Sequence, residues 1–163
     1  PQDIVVVGNS AGGTLVLSTL LKLRDLGHPL PQGGYCLSPG TNMNFDYDSI
    51  QNNLKTDWLT TDTFAGIRLL YAAGADPNLP ELSPVLGDLH GLPPLLLQAG
   101  GREMLLDDSR CFAEKAKRAG VDITLEIWND MFHCWQLFSS DLPQGEAALE
   151  SGAGFIRRVL KRA

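Results

Sequence analysis

Short, continuously apolar runs alternate with longer helix-patterned stretches along this chain, and that alternation limits the folds open to it. Asp3 to Val7 (DIVVV), Gly33 to Ser38 (GGYCLS) and Pro94 to Ala99 (PLLLQA) are too short for ordinary helices and carry no regular polar face. A strand without a polar face is covered on both sides, as in a parallel sheet flanked by helices. Ala11 to Leu26 reads as a helix apolar almost all round, stopped by Gly27 and Pro29. Leu105, Ser109, Phe112, Ala116 and Ala119 form a second helical stripe that ends at Gly120. A final helix, about Gln144 to Lys161, carries Leu149, Gly152, Phe155, Ile156, Val159 and Leu160 on one face.

Val121 to Trp128 (VDITLEIW) alternates with period two and is expected nearer a sheet edge. Thr41 to Gly91 is less regular, with one helix expected from about Thr60 to Ala73 and a proline-punctuated loop behind it. This order predicts an α/β fold, a mostly parallel sheet of four strands with flanking helices, as a single domain over residues 1–163. The chain opens on Pro1 and falls directly into a strand, so it reads as a piece of a longer protein.

Thirteen basic against nineteen acidic residues leave a net charge of −6, which argues against a nucleic-acid partner. The one dense basic stretch, Arg157 to Arg162, closes the last helix, where cations favour the dipole. No apolar run approaches the ~18 residues of a membrane span. Cys36, Cys111 and Cys134 are odd in number and scattered, so no disulfide framework is expected and a reducing, cytoplasmic setting is the default.

Val5 to Thr14 (VVVGNSAGGT) carries the chemistry. Gly8-Asn9-Ser10-Ala11-Gly12 fits G-x-S-x-G and falls between an expected strand and an expected helix, where a nucleophile elbow belongs. Such a turn raises the serine and aims the N–H groups of the helix start at an oxyanion beside it. A dinucleotide fingerprint would need glycine in place of Ser10. A phosphate-binding P-loop would need lysine where Thr14 follows Gly13.

A serine hydroxyl needs a base. His28 and His90 fall in loops that read as solvated, whereas His133 follows the strand ending at Trp128, at the sheet edge where Ser10 also lies. The base needs a carboxylate to fix its tautomer. The loop after Ala99 offers Glu103, Asp107 and Asp108. Asp107 is placed to cap the next helix and Asp108 to complement its dipole, which leaves Glu103 as first choice of acid and Asp107 as second.

These residues resemble the hormone-sensitive-lipase-like group of α/β-hydrolase esterases. The likeness runs through GNSAGG (Gly8 to Gly13), Ser83-Pro84, GLPPLLLQAG (Gly91 to Gly100), EMLLDDS (Glu103 to Ser109), AGVDITLEIW (Ala119 to Trp128) and the histidine of MFHCWQLF. It implies the C-terminal part of that fold, with Ser10 as nucleophile, His133 as base and the Ala11 N–H as one oxyanion donor. Many members have aspartate followed by proline where this chain has Glu103-Met104, and aspartate where it has Asn9. The family's His-Gly-Gly oxyanion loop, first strands and cap precede the elbow and are not among these residues. The glycine pairs Gly33-Gly34 and Gly100-Gly101, and His90-Gly91, lie in the wrong places to replace that loop.

The expectation is a serine carboxylesterase or lipase-like hydrolase acting on small ester substrates, with no metal and no organic cofactor. A missing N-terminal segment or partner chain would complete the sheet and oxyanion hole. The alternatives are a non-catalytic ligand-binding relative on the same fold, or another acyl hydrolase such as an amidase or thioesterase.

Overall fold

The computed structural model describes residues 3–161; Pro1 and Arg162, which entered the reading above, lie outside it. Four strands, β1 (Val5–Asn9), β2 (Gly33–Leu37), β3 (Leu95–Gly100) and β4 (Ile123–Trp128), form one parallel sheet in chain order. Helices α1 (Ala11–Asp25) and α4 (Leu106–Arg118) cover one face, and α5 (Pro143–Leu160) covers the other.

Alternation along each strand divides the core. Cys36, Leu95 and Leu97 pack with Leu17 and Leu20 of α1 and Phe112 and Ala116 of α4. Tyr35, Leu37 and Leu96, pointing the other way, pack on Phe155 and Val159 of α5. Every residue of β2 and β3 is therefore buried, which is why these strands read as unbroken apolar runs. Strand β4 hydrogen-bonds only to β3 and β1 only to β2 among the described residues. The period-two pattern of β4 matches that edge position.

The structure moves several expected boundaries. Strand β1 begins two residues later than Asp3 and runs through Asn9, because its ladder continues to Asn9 opposite Leu37 and Ser10 N–H then donates to Leu37 O at 2.8 Å. A short helix α2 (Asp48–Asn52) lies in the stretch read as irregular; five residues hold too little periodicity to announce it. The helix expected over Thr60 to Ala73 is α3 (Thr61–Ile67), capped by Thr60 and Thr63 and continued by a π-helical turn, Arg68–Ala72. On α5 the inward row is Ala148, Gly152, Phe155 and Val159, whereas Leu149 is 40% exposed. The described residues contain no helix long and apolar enough to cross a membrane, and their cysteines are free.

Candidate active site

Ser10 joins β1 to α1 with φ 51° and ψ −122°, a conformation that L-residues rarely adopt. Its neighbours make room unevenly. A Cβ on Gly8 would collide with the Gly12 carbonyl, and one on Gly13 would press on Pro39 at 2.8 Å. A Cβ on Gly12 would meet only Asn9 Oδ1 at 4.0 Å, so the crowding comes from Gly12's backbone and not from any side chain it lacks. Ala11 opens α1, so its N–H has no acceptor within the helix.

The Ser10 hydroxyl lies 2.9 Å from His133 Nε2. The other ring nitrogen, Nδ1, faces Glu103 Oε2 at 3.6 Å, just beyond hydrogen-bond length. His133 and Glu103 are 1% and 0% exposed, and the Ser38 side chain and the Gly100 backbone also face the Glu103 carboxylate. Burial raises the Glu103 carboxyl above the usual carboxylate range, against the pull of His133. Burial pulls the His133 imidazole down, but its contacts with Cys134 and Glu103 outweigh this and hold it well above its ordinary 6.5. The Cys134 Sγ lies 3.4 Å from Nε2, a neighbour the sequence reading did not anticipate.

The loops after β3 and β4 meet because both glycines of Gly100-Gly101 are needed there. A Cβ on Gly100 would strike Met131 O, and one on Gly101 would strike Asn129 O. The pair set aside as an oxyanion loop thus lets the Glu103 loop touch the His133 loop, and Arg102 N–H donates to Met131 O at 2.9 Å.

Asp107 does not cap α4. The helix begins at Leu106 behind Leu105, with no side-chain cap, and Asp107 sits one residue inside. Its carboxylate accepts from Ser49 N–H of α2 at 3.0 Å and from Arg110 at 3.3 Å. Asp108 is fully buried and accepts from the N–H groups of Thr41 and Asn42 at 2.6 and 2.9 Å. Burial, opposed by those two donors, raises its carboxyl to about 7. It secures the loop after β2, which borders an apolar cavity in front of Ser10. Leu15, Met43, Phe45, Phe64 and Leu105 line that cavity, with Phe45 stacked on Phe64 at 4.6 Å. His28 and His90 are exposed. Among the described residues no cluster of His, Cys, Asp or Glu side chains is placed to hold a metal.

A serine on a strand-to-helix turn, an imidazole in reach of its hydroxyl and a carboxylate behind the ring form the layout used by serine hydrolases on parallel α/β sheets. The chain belongs to the alpha/beta hydrolase fold family, which matches residues 1–137. It is 40% identical over 160 residues to an acetyl-hydrolase of Streptomyces hygroscopicus, covering 96% of this chain and 53% of that protein. It is 35% identical over 157 residues to an esterase of Acinetobacter venetianus, covering 95% and 52%. Among solved structures, an esterase of the bacterial hormone-sensitive lipase family superposes with TM-score 0.95 at 43% identity, covering 98% of this chain and 55% of that one. An esterase/lipase from an uncultured bacterium gives 0.94 at 40% identity, covering 99% and 54%. The chain spans about half the length of the curated relatives it matches.

Proposed function

We propose that the protein is a serine carboxylesterase that works through Ser10, His133 and Glu103. The observation that carries the reading is the 2.9 Å contact between Ser10 Oγ and His133 Nε2 at a strained strand-to-helix turn. Ser10 Oγ attacks the ester carbonyl carbon while its proton passes to Nε2, and the oxyanion that forms is held by the Ala11 N–H. His133 then returns the proton to the departing alkoxide, leaving an acyl-serine. A water molecule repeats the sequence, and the acid leaves. Glu103 holds the Nδ1 proton toward itself and favours the imidazolium that forms in both halves.

The esterase and acetyl-hydrolase relatives support this chemistry, and a solved relative was soaked with p-nitrophenyl butyrate. The apolar cavity beside Ser10 supports a small ester with an uncharged, apolar portion. The test is Ser10→Ala in the intact protein, assayed with p-nitrophenyl esters. A loss of about 10³-fold or more in kcat with the fold retained is expected; hydrolysis at the parent rate would end the reading.

A further inference from the structure

The loops carrying Glu103 and His133 leave two adjacent strands, and a third segment, Asn53 to Trp58 between α2 and α3, grips both. On the Glu103 side, Asn53 Nδ2 donates to Glu103 O at 2.8 Å and Thr56 Oγ1 donates to Arg102 O at 3.0 Å. On the His133 side, the Trp58 indole N–H donates to His133 O at 2.8 Å, and its ring lies 5.5 Å from the imidazole, centroid to centroid. Asp57 joins the two. One carboxylate oxygen, Oδ2, accepts from Met104 N–H at 2.7 Å, the residue next to Glu103. The other, Oδ1, accepts from the N–H of His133 itself at 3.1 Å and from that of Trp58 at 2.8 Å.

We propose that Asp57 is a positioning residue, whose carboxylate sets the spacing between Glu103 and His133 and, through it, the aim of the imidazole at Ser10; this rests on the esterase reading above. Both backbone polar groups of His133 are held, its N–H by Asp57 and its carbonyl by the Trp58 indole. On the far side the Cys134 N–H is tied to Ser38 Oγ at 3.1 Å, and Cys134 itself has φ 56°. The histidine is thus held from both flanks, and Asp57 ties its backbone to that of the acid loop. At 3.6 Å, the Glu103 to His133 separation is close to the hydrogen-bond limit, so a small shift of either loop makes or breaks that bond.

Asp57→Ala removes both acceptors. Asp57→Asn keeps the shape but turns its amide N–H groups either toward Met104 N–H or toward the N–H groups of His133 and Trp58, and it serves where the alanine variant does not fold. Misplacement of a reacting group by about 1 Å costs on the order of 10²-fold. The expected result is therefore a kcat lower by about 100-fold for Asp57→Ala and by about tenfold for Asp57→Asn, with KM within about twofold of the parent. The acid limb of kcat/KM should move to lower pH in both variants, because Glu103 then favours the imidazolium less. A purely structural role would change the amount of folded protein and leave the kcat, KM and pH limb of the folded fraction at parent values; that result overturns the proposal and leaves the esterase reading standing. Should the parent hydrolyse no ester, the esterase reading falls, and an NMR titration of the His133 ring decides the proposal by itself. A lower His133 titration midpoint in Asp57→Asn supports it, and an unchanged one overturns it.

Discussion

Three non-glycine residues at or near the strand ends of the site have positive φ: Ser10, Ser38 and Cys134, at 51°, 49° and 56°. Each such conformation costs about 1–3 kcal/mol and survives only where its surroundings fix it. Here they fix one another, since Ser10 N–H is bound to Leu37 O and Ser38 Oγ takes the Cys134 N–H. Ser10 was legible because its glycine neighbours follow an apolar run, and His133 because it follows a strand. Cys134 and Asp57 were not, because what they do depends on partners far away in sequence. Glu103 gives the sharpest expectation at this scale. Its carboxylate and the Cys134 contact raise the imidazole against a burial that lowers it. Removing the charge with Glu103→Gln should therefore drop the His133 pKa, moving the acid limb of kcat/KM to lower pH. The rate at the plateau should fall by up to ~10⁴-fold, the loss seen when a triad acid is neutralised. A pH-rate profile of the variant that overlays the parent's would remove Glu103 from the site.

Elements buried on both faces announced themselves, and those held by polar ties did not. Strands β2 and β3 read correctly because the middle of a sheet covered by α1, α4 and α5 is filled almost wholly by apolar side chains, the buried and fully bonded Gln98 being the exception. Helix α2 and the Asn53–Trp58 segment are held by hydrogen bonds to residues far away in sequence, which leave no period. The inward face of α5 read correctly at Gly152, Phe155, Ile156 and Val159, and the outward turn of Leu149 has a physical cause in Gly152. A Cβ there would press into the ring of Tyr35, whose hydroxyl is anchored by Gln98 Oε1 at 2.7 Å, so the helix turns its smallest residue to the sheet and Leu149 outward. Gly152→Ala should therefore destabilise the fold by about 1–3 kcal/mol through overpacking. Gly154→Ala, where nothing lies within 4 Å, should be neutral or stabilising by up to about 1 kcal/mol through helix propensity. Urea denaturation of the pair checks both signs; equal midpoints would show that the α5 to β2 contact is not tight.

Across the whole molecule, the proposed site is a property of the sheet and of no single segment. Residues 10, 103 and 133 follow β1, β3 and β4 and meet because parallel strands deliver their C-terminal ends to one edge. The order of serine, acid and histidine was readable for that reason, although the glycine pair that lets the last two loops touch was not. The same geometry leaves Val7 of β1 48% exposed, on a strand paired on one side only among the described residues. If these three strand ends make Ser10 a nucleophile, an electrophile should capture it covalently. The intact protein is treated with a p-nitrophenyl phosphonate, p-nitrophenol release is followed with time, and the adduct is located by peptide mass spectrometry. One adduct is expected, on Ser10, forming at least ~10³-fold more slowly in His133→Ala. An unmodified Ser10, or a Ser10 that reacts as fast without His133, would contradict that role.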